Sequence, residues 1–385
     1  KAVTLPSKLE RIEMYAFEDC RLLPSITFPS TLKYIGESAF YYCYALKAVS
    51  IPDSVEEIGR QAFYDCNALI TITIGKGVKK MGANVFYSCN YVHTINYNAV
   101  NMNDYWPYSG NTEPSNAEWF SGCGTSAELA IKIPAYLFYG FNSDSNHPQT
   151  LTHASNSVLQ EIGMCAFRDC YITSVTLPSS VKYIQKAAFS GLDSASISLP
   201  SSLIYIGEGA FSGSVLTSID IPDSVQYIEK QAFNSCTSLT TIEVGTDVNY
   251  IGNSAFYNCS YVTTLRWNAT QCGDFVSGNE IFYYLGRYPG AVALTIGANV
   301  VSIPANFMYS YGSTSYSPKL STVTFANNAA LQTIGEHAFD YTYSAFTTST
   351  WATTTWRING SNVSVAASNF TTYSRSTYYQ YRWTK

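Results

Sequence analysis

The residues of this 385-residue chain that could carry chemistry are ten cysteines, four histidines and a few local groups of acids. Asp53, Glu56 and Glu57 form one such group, which a general acid–base pair would require. Equivalent positions elsewhere in the chain hold Ser, Gln or Lys, and no partner is placed by the sequence, so the group reads as a solvated loop. His93, His147, His153 and His337 fall in no metal-ligand spacing. Serine and threonine abound, but no nucleophile elbow appears and no histidine has a companion. The glycine-rich turns do not make a phosphate loop. The expectation is a chain without catalytic residues, metal or cofactor.

The cysteines are informative in another way. Cys20, Cys43, Cys66 and Cys89 are spaced by 23 residues, and so are Phe17, Phe40, Phe63 and Phe86. Phe167, Phe189, Phe211, Phe233 and Phe256 follow at steps of 22 or 23, with Cys236 and Cys259 in the same phase. A fixed period of this size is the mark of a solenoid. A position that takes Cys in most repeats and Gly191 or Gly213 nearby in others is a packing position, where a reduced, buried thiol acts as a small hydrophobe.

Each repeat is built in three parts. Leu69-Ile70-Thr71-Ile72-Thr73-Ile74 places apolar residues at its first, fourth and sixth positions, the alternation of a strand with one buried face. Pro or Gly then ends the strand. Val55-x-x-Ile58-Gly59 returns the chain to the core, with Gly59 expected at a turn of positive φ. Ala62 and Phe63 follow, and Arg60–Cys66 is expected to be one helical turn serving as the crossover between parallel strands.

The period lapses at about 99–158 and again at 269–330. Tyr97-Asn98-Ala99 recurs as Trp267-Asn268-Ala269, and Ile133-Pro134-Ala135 as Ile303-Pro304-Ala305, each 170 residues on. The chain therefore reads as a tandem duplication of a block of about 170 residues, with enlarged repeats at the same place in each block. The solenoid is expected over 1–345. Residues 346–385 hold Trp351, Trp356 and Trp383 and no acidic residue, and they read as a C-terminal cap with a β-hairpin covering the last coil. The opening Ala2-Val3-Thr4-Leu5-Pro6 looks like the tail of a repeat strand, as in a mature fragment or trimmed piece of something longer.

The pattern Ile-Gly-x-x-Ala-Phe-x-x-Cys-x-x-Leu-x-x-Ile-x-Ile-Pro-x-x-Val resembles the BspA-like leucine-rich repeat. Residues Val181 to Val225 and Val225 to Val248 match it almost position by position, and Ile296-Gly297-Ala298-Asn299-Val300-Val301-Ser302-Ile303-Pro304 is similar to the family's enlarged repeats. The resemblance implies a right-handed parallel β-solenoid with a sheet lining its concave side, one short strand and one short helical turn per 22–23-residue coil. It also implies an extracellular protein, secreted or attached to the cell surface of a host-associated microbe. Its partner would be a host extracellular matrix protein, a cell-surface protein or a glycan.

Composition agrees with an exterior location. Only 13% of residues are charged, whereas tyrosine alone numbers 32. The net charge of -5 leaves no basic footprint for nucleic acid, and no apolar run is long enough for membrane insertion. Two binding surfaces are expected. On the concave sheet, outward strand positions stack into hydroxyl-rich columns about 4.8 Å apart per coil; Asn96 lies in one, and Asp220, Glu243 and Arg266 are its charged members. The rival is the aromatic content of the enlarged repeats, Trp106, Tyr108 and Trp119 in the first block and Tyr283, Tyr284 and Tyr288 in the second, which could stack on sugars or anchor a protein. Adhesion through the concave sheet is the first reading. The alternatives are a structural spacer projecting another domain and a glycan-binding module acting through the aromatic repeats.

Overall fold

In the computed structural model, the described residues are 3–82, 84–89, 91–92, 94–97, 99, 159–169, 174–288, 290–309, 318, 320–326 and 330–339, together with the strands at 126–128, 132–133, 150–151, 345–346, 355–358, 361–364 and 383–384. The chain forms two compact units, Lys1–Ser198 and Leu199–Lys385.

Each unit is a parallel β-solenoid. In the first, Ala48–Ser50, Thr71–Ile74, Thr94–Tyr97, Ser126–Glu128, Thr150–Leu151, Ser174–Thr176 and Ile197–Ser198 pair in that order. In the second, Ser218–Ile221, Thr241–Val244, Thr264–Trp267, Val292–Ile296, Leu320–Phe325 and Ala345–Phe346 form the equivalent sheet. The alternation read from the sequence is the alternation observed: Leu69, Ile72 and Ile74 are fully buried, and Thr71 and Thr73 face outward.

The return segment, expected as a turn, holds a second strand. Arg11–Ile12, Tyr34–Ile35, Glu57–Ile58 and Lys80–Met81 pair in parallel, and Tyr205–Ile206, Tyr227–Ile228 and Tyr250–Ile251 do the same in the second unit. Two residues suffice because the flanking backbone continues the ladder, with the Gly59 N–H donating to Ile35 O at 2.7 Å and that of Gly82 to Ile58 O at 2.8 Å. Gly59 does not take the positive φ expected of it. Its Cβ would lie 2.6 Å from the carbonyl carbon of Gly36 in the preceding coil, so the glycine answers a close backbone approach.

The helical turn expected over Arg60–Cys66 is a succession of tight turns. Gln61 and Asp65 have φ of 55° and 58°, and the same four-residue spacing of left-handed residues recurs at Ser38 and Tyr42 and at Gln231 and Ser235. A helix would send each N–H back four residues. Here alternate N–H groups leave the coil, as Phe63 N–H donates to Val85 O at 2.8 Å and Asp65 N–H to Tyr87 O at 2.8 Å. Left-handed non-glycine residues are uncommon and cost energy, and the inter-coil hydrogen bonds offset that cost.

Two columns run through the core. Phe17, Phe40, Phe63 and Phe86 stack with centroids 5.0 to 5.2 Å apart and nearly parallel planes. Phe211, Phe233, Phe256 and Phe282 stack likewise in the second unit. Beside them the thiols of Cys43, Cys66, Cys236 and Cys259 donate to the carbonyls of Phe17, Phe40, Phe211 and Phe233 at 3.0 to 3.3 Å. The cysteine is thus more than a small hydrophobe, because it satisfies a core carbonyl of the preceding coil. Cys20, Cys43, Cys66, Cys236, Cys259 and Cys272 all carry reduced thiols. Burial pushes the Cys236 thiol up to about 11 and that of Cys272 up to about 12. At neutral pH these thiols stay protonated and should resist alkylation. Titrating the native protein with a thiol reagent should label the partly exposed Cys20 and spare Cys236 and Cys259, with all of them reacting after denaturation. Rapid native labelling of Cys236 would contradict this packing.

In the second unit the irregular repeat at 269–296 is packed around Trp267, which is fully buried at an inward strand position. Phe307 meets it at 4.6 Å and Phe275 at 6.3 Å, both edge-on. At the C-terminal side, Ser302–Ile303 and Thr333–Ile334 are extended by Trp383–Thr384, Thr355–Ile358 and Ser361–Ser364, the last three antiparallel to their neighbours.

Candidate functional site

The long-strand sheet of the second unit carries the first candidate. Asp220, Glu243, Arg266, Thr295 and Thr324 are successive partners in register, one per coil. All five point away from the core, because their neighbours Ile219, Ile242, Leu265, Leu294 and Val323 are buried. Arg266 Nη1 donates to Glu243 Oε2 at 3.2 Å, and Asn268 Nδ2 donates to Glu243 Oε1 at 3.3 Å. Asp220 is left at the other end of the run. Partial burial, and then the nearby Glu243 and Asp223 carboxylates, hold its carboxyl above the usual range. The pair of Glu243 and Arg266 is exposed, so it adds roughly 0–1 kcal/mol to stability. Its charge is available to a partner.

In the first unit the corresponding column runs Ser50, Thr73, Asn96 and Glu128. Asn96 is therefore in the register expected for it. Glu128 joins it, which sequence reasoning missed because it falls in an enlarged repeat whose strand carries no regular phase. The acidic group noted at the outset is spent on neighbouring coils. Asp53 Oδ1 accepts from the Lys76 N–H at 2.8 Å, and Glu56 and Glu57 pair with Lys79 and Lys80 at 3.0 and 4.0 Å.

The aromatic candidates divide. Trp106, Tyr108 and Trp119 lie outside the described residues. Tyr283, Tyr284 and Tyr288 come together on one flank of the second unit. Tyr283 stacks on Tyr257 at 5.5 Å, Tyr284 stands edge-on to both at 5.7 and 4.8 Å, and Tyr288 lies 6.2 Å from Tyr261. Arg287 lies between two of them, its guanidinium carbon 5.0 Å from the Tyr284 ring centroid and 5.3 Å from that of Tyr288. Tyr261 and Tyr288 are about half exposed (47% and 49%), so this patch is open to solvent, unlike Phe275 and Phe282, which are core. Tyr257, Tyr261 and Arg287 are additions to the group. The sequence signal for Arg287 was a single cation within an aromatic run. A second tyrosine column, Tyr205, Tyr227 and Tyr250, lies in register on the short-strand sheet.

The description of the BspA-type leucine-rich repeat region, in six copies, matches residues 1–106 and 160–284, more than half of the chain. The chain belongs to that family. Among solved structures, this BspA-type chain is similar to a leucine-rich repeat protein from Bacteroides ovatus at 23% identity, covering 77% of this chain and 83% of that one with a TM-score of 0.35. It is similar to a leucine-rich cell surface protein from Faecalibacterium prausnitzii at 24% identity, over 69% and 86% of the two chains with a TM-score of 0.27. A third likeness, at 20% identity, is to the pneumococcal vaccine antigen PcpA, over 75% and 66% with a TM-score of 0.36. No curated protein matches the chain. Among the described residues of this BspA-type chain, no His, Cys, Asp or Glu group has the arrangement of a metal site, and no helix is long and apolar enough to cross a membrane.

Proposed function

We propose that this chain is a non-enzymatic recognition scaffold of the cell exterior, adhering to host matrix proteins or to other cells through the long-strand sheet. The observation that carries this reading is the exposed run of Asp220, Glu243 and Arg266, held in register by rigid strands and flanked by Ser218, Thr241 and Thr264. A flat, preorganised face with few charges loses little entropy on binding, and its charges set partner and orientation more than raw affinity. Asp220→Ala with Arg266→Ala should leave thermal stability within about 1 kcal/mol of the parent. The same pair should weaken binding to a matrix-protein partner by tenfold or more, on the order of 1.4 kcal/mol. Biolayer interferometry against immobilised matrix proteins and mucins reads this directly. Unchanged affinity in the double variant would remove the sheet from the reading, and silence across the panel would favour a spacer that projects another domain.

A second reading is favoured by the gathering of Tyr283, Tyr284 and Tyr288 into one solvent-open group, which gives a glycan ring faces to stack on and hydroxyl rims to hydrogen-bond.

A further inference from the structure

Among the described residues, arginines are generally answered by carboxylates. Arg11 meets Glu13 at 2.7 Å while lying over Tyr34, Arg21 meets Asp19 at 2.6 Å while lying near Tyr44, and Arg266 meets Glu243. Among the described residues Arg60 has no such partner and lies against no ring, but it is exposed. Arg287 differs from all of them. It is half-buried between the rings of Tyr284 and Tyr288, and among the described residues no carboxylate pairs with it.

A guanidinium held between two ring faces keeps its charge but loses part of its hydration. Its forked N–H edge is then directed by the rings. Such a group is completed by a planar anion that can take two parallel hydrogen bonds, which is the geometry of a carboxylate. The backbone fixes the surroundings. Gly286 N–H donates to Cys259 O at 3.3 Å and Tyr288 N–H donates to Ser260 O at 2.8 Å, so the 284–288 segment is tied to the coil that carries Tyr257 and Tyr261. The half-exposed Tyr288 ring lies beside the cation and the half-exposed Tyr261 ring lies 6.2 Å from Tyr288, so the two offer amphipathic faces suited to a sugar ring. An extended peptide would need an unpaired strand edge, and Thr264–Trp267 and Val292–Ile296 are each paired on both sides.

We infer that Arg287, with Tyr261, Tyr284 and Tyr288, forms a subsite for a carboxylate-bearing sugar. This rests on the glycan reading and specifies which class of glycan the group takes. The guanidinium receives the carboxylate, and the tyrosines receive the ring.

The test compares acidic and neutral partners of the same size on the whole chain, sialyllactose against its carboxyl-reduced form and digalacturonate against digalactose, by isothermal titration calorimetry. The acidic member of at least one pair should bind at least about tenfold more tightly, as a charge-assisted bidentate contact requires. Arg287→Gln should abolish that preference without moving the melting temperature. Arg287→Lys should restore it only in part, since a point charge lacks the fork. Equal binding of acidic and neutral sugars, both lost in Tyr288→Ala, would overturn the carboxylate subsite and leave the glycan reading standing. Absence of binding by any sugar would overturn both. Equal binding of a sulfated sugar without a carboxylate, or of an acidic peptide competing at Arg287, would overturn the assignment to carboxylated sugars.

Discussion

Phe233→Ala should cost about 3–5 kcal/mol of stability, the range for truncating a buried aromatic. Phe233 is fully buried and stacks on both sides, at 5.2 Å on Phe211 and 5.1 Å on Phe256. The cavity would lie in the middle of the column, where neighbouring coils are held by inter-coil hydrogen bonds such as Phe233 N–H to Ala255 O at 2.7 Å. Those bonds fix the coil spacing, so the rings above and below cannot close the gap. The free energy from denaturant unfolding should fall accordingly, and Phe233→Leu should recover a large part of it. A loss below about 1 kcal/mol, the level of an ordinary surface change, would mean that the ring column is incidental to the fold.

Trp267→Ala should have an effect of the same order, about 3–5 kcal/mol. Trp267 occupies the strand position that holds Ile221 and Val244 in the two coils before it, and it replaces a small aliphatic with the largest side chain. The coil that follows is longer than the regular repeat, and the indole fills the widened interior against Phe275 and Phe307. If the irregular stretch were a foreign loop resting on a complete solenoid, removing the indole would cost little. A large loss, read by thermal or denaturant unfolding with a single transition, is expected because the enlarged repeat shares the core. Trp267→Phe should be milder, since among the described residues the indole Nε1 has no hydrogen-bond partner to lose.

The period and the burial pattern were legible because one core position dictates one residue type in every coil: Phe63 must stack, and Ile72 and Ile74 must face inward. The turns were not legible. Gln61 and Asp65 adopt left-handed backbone without the glycine that usually announces it, and only the inter-coil hydrogen bonds explain why. Gly59 is ambiguous for the converse reason, since a glycine serves either positive φ or close approach and the letter does not distinguish them. Of the site, the register of Asp220, Glu243 and Arg266 followed from the period. The grouping of Tyr257 and Tyr261 with Tyr283, Tyr284 and Tyr288 did not, because it depends on how an irregular segment folds back onto the preceding coil. Arg287 went unnoticed, as a lone cation is only informative once its partners, and the carboxylate it lacks among the described residues, are seen.

Hydroxyl-radical footprinting of the chain bound to its tightest matrix-protein partner tests the central claim most directly. Recognition through the long-strand sheet predicts protection of outward strand positions between Ser218 and Arg266, with the flank at Tyr283, Tyr284 and Tyr288 unchanged. Protection confined to that tyrosine flank, with the Asp220–Arg266 column as reactive as in the unbound chain, would contradict it.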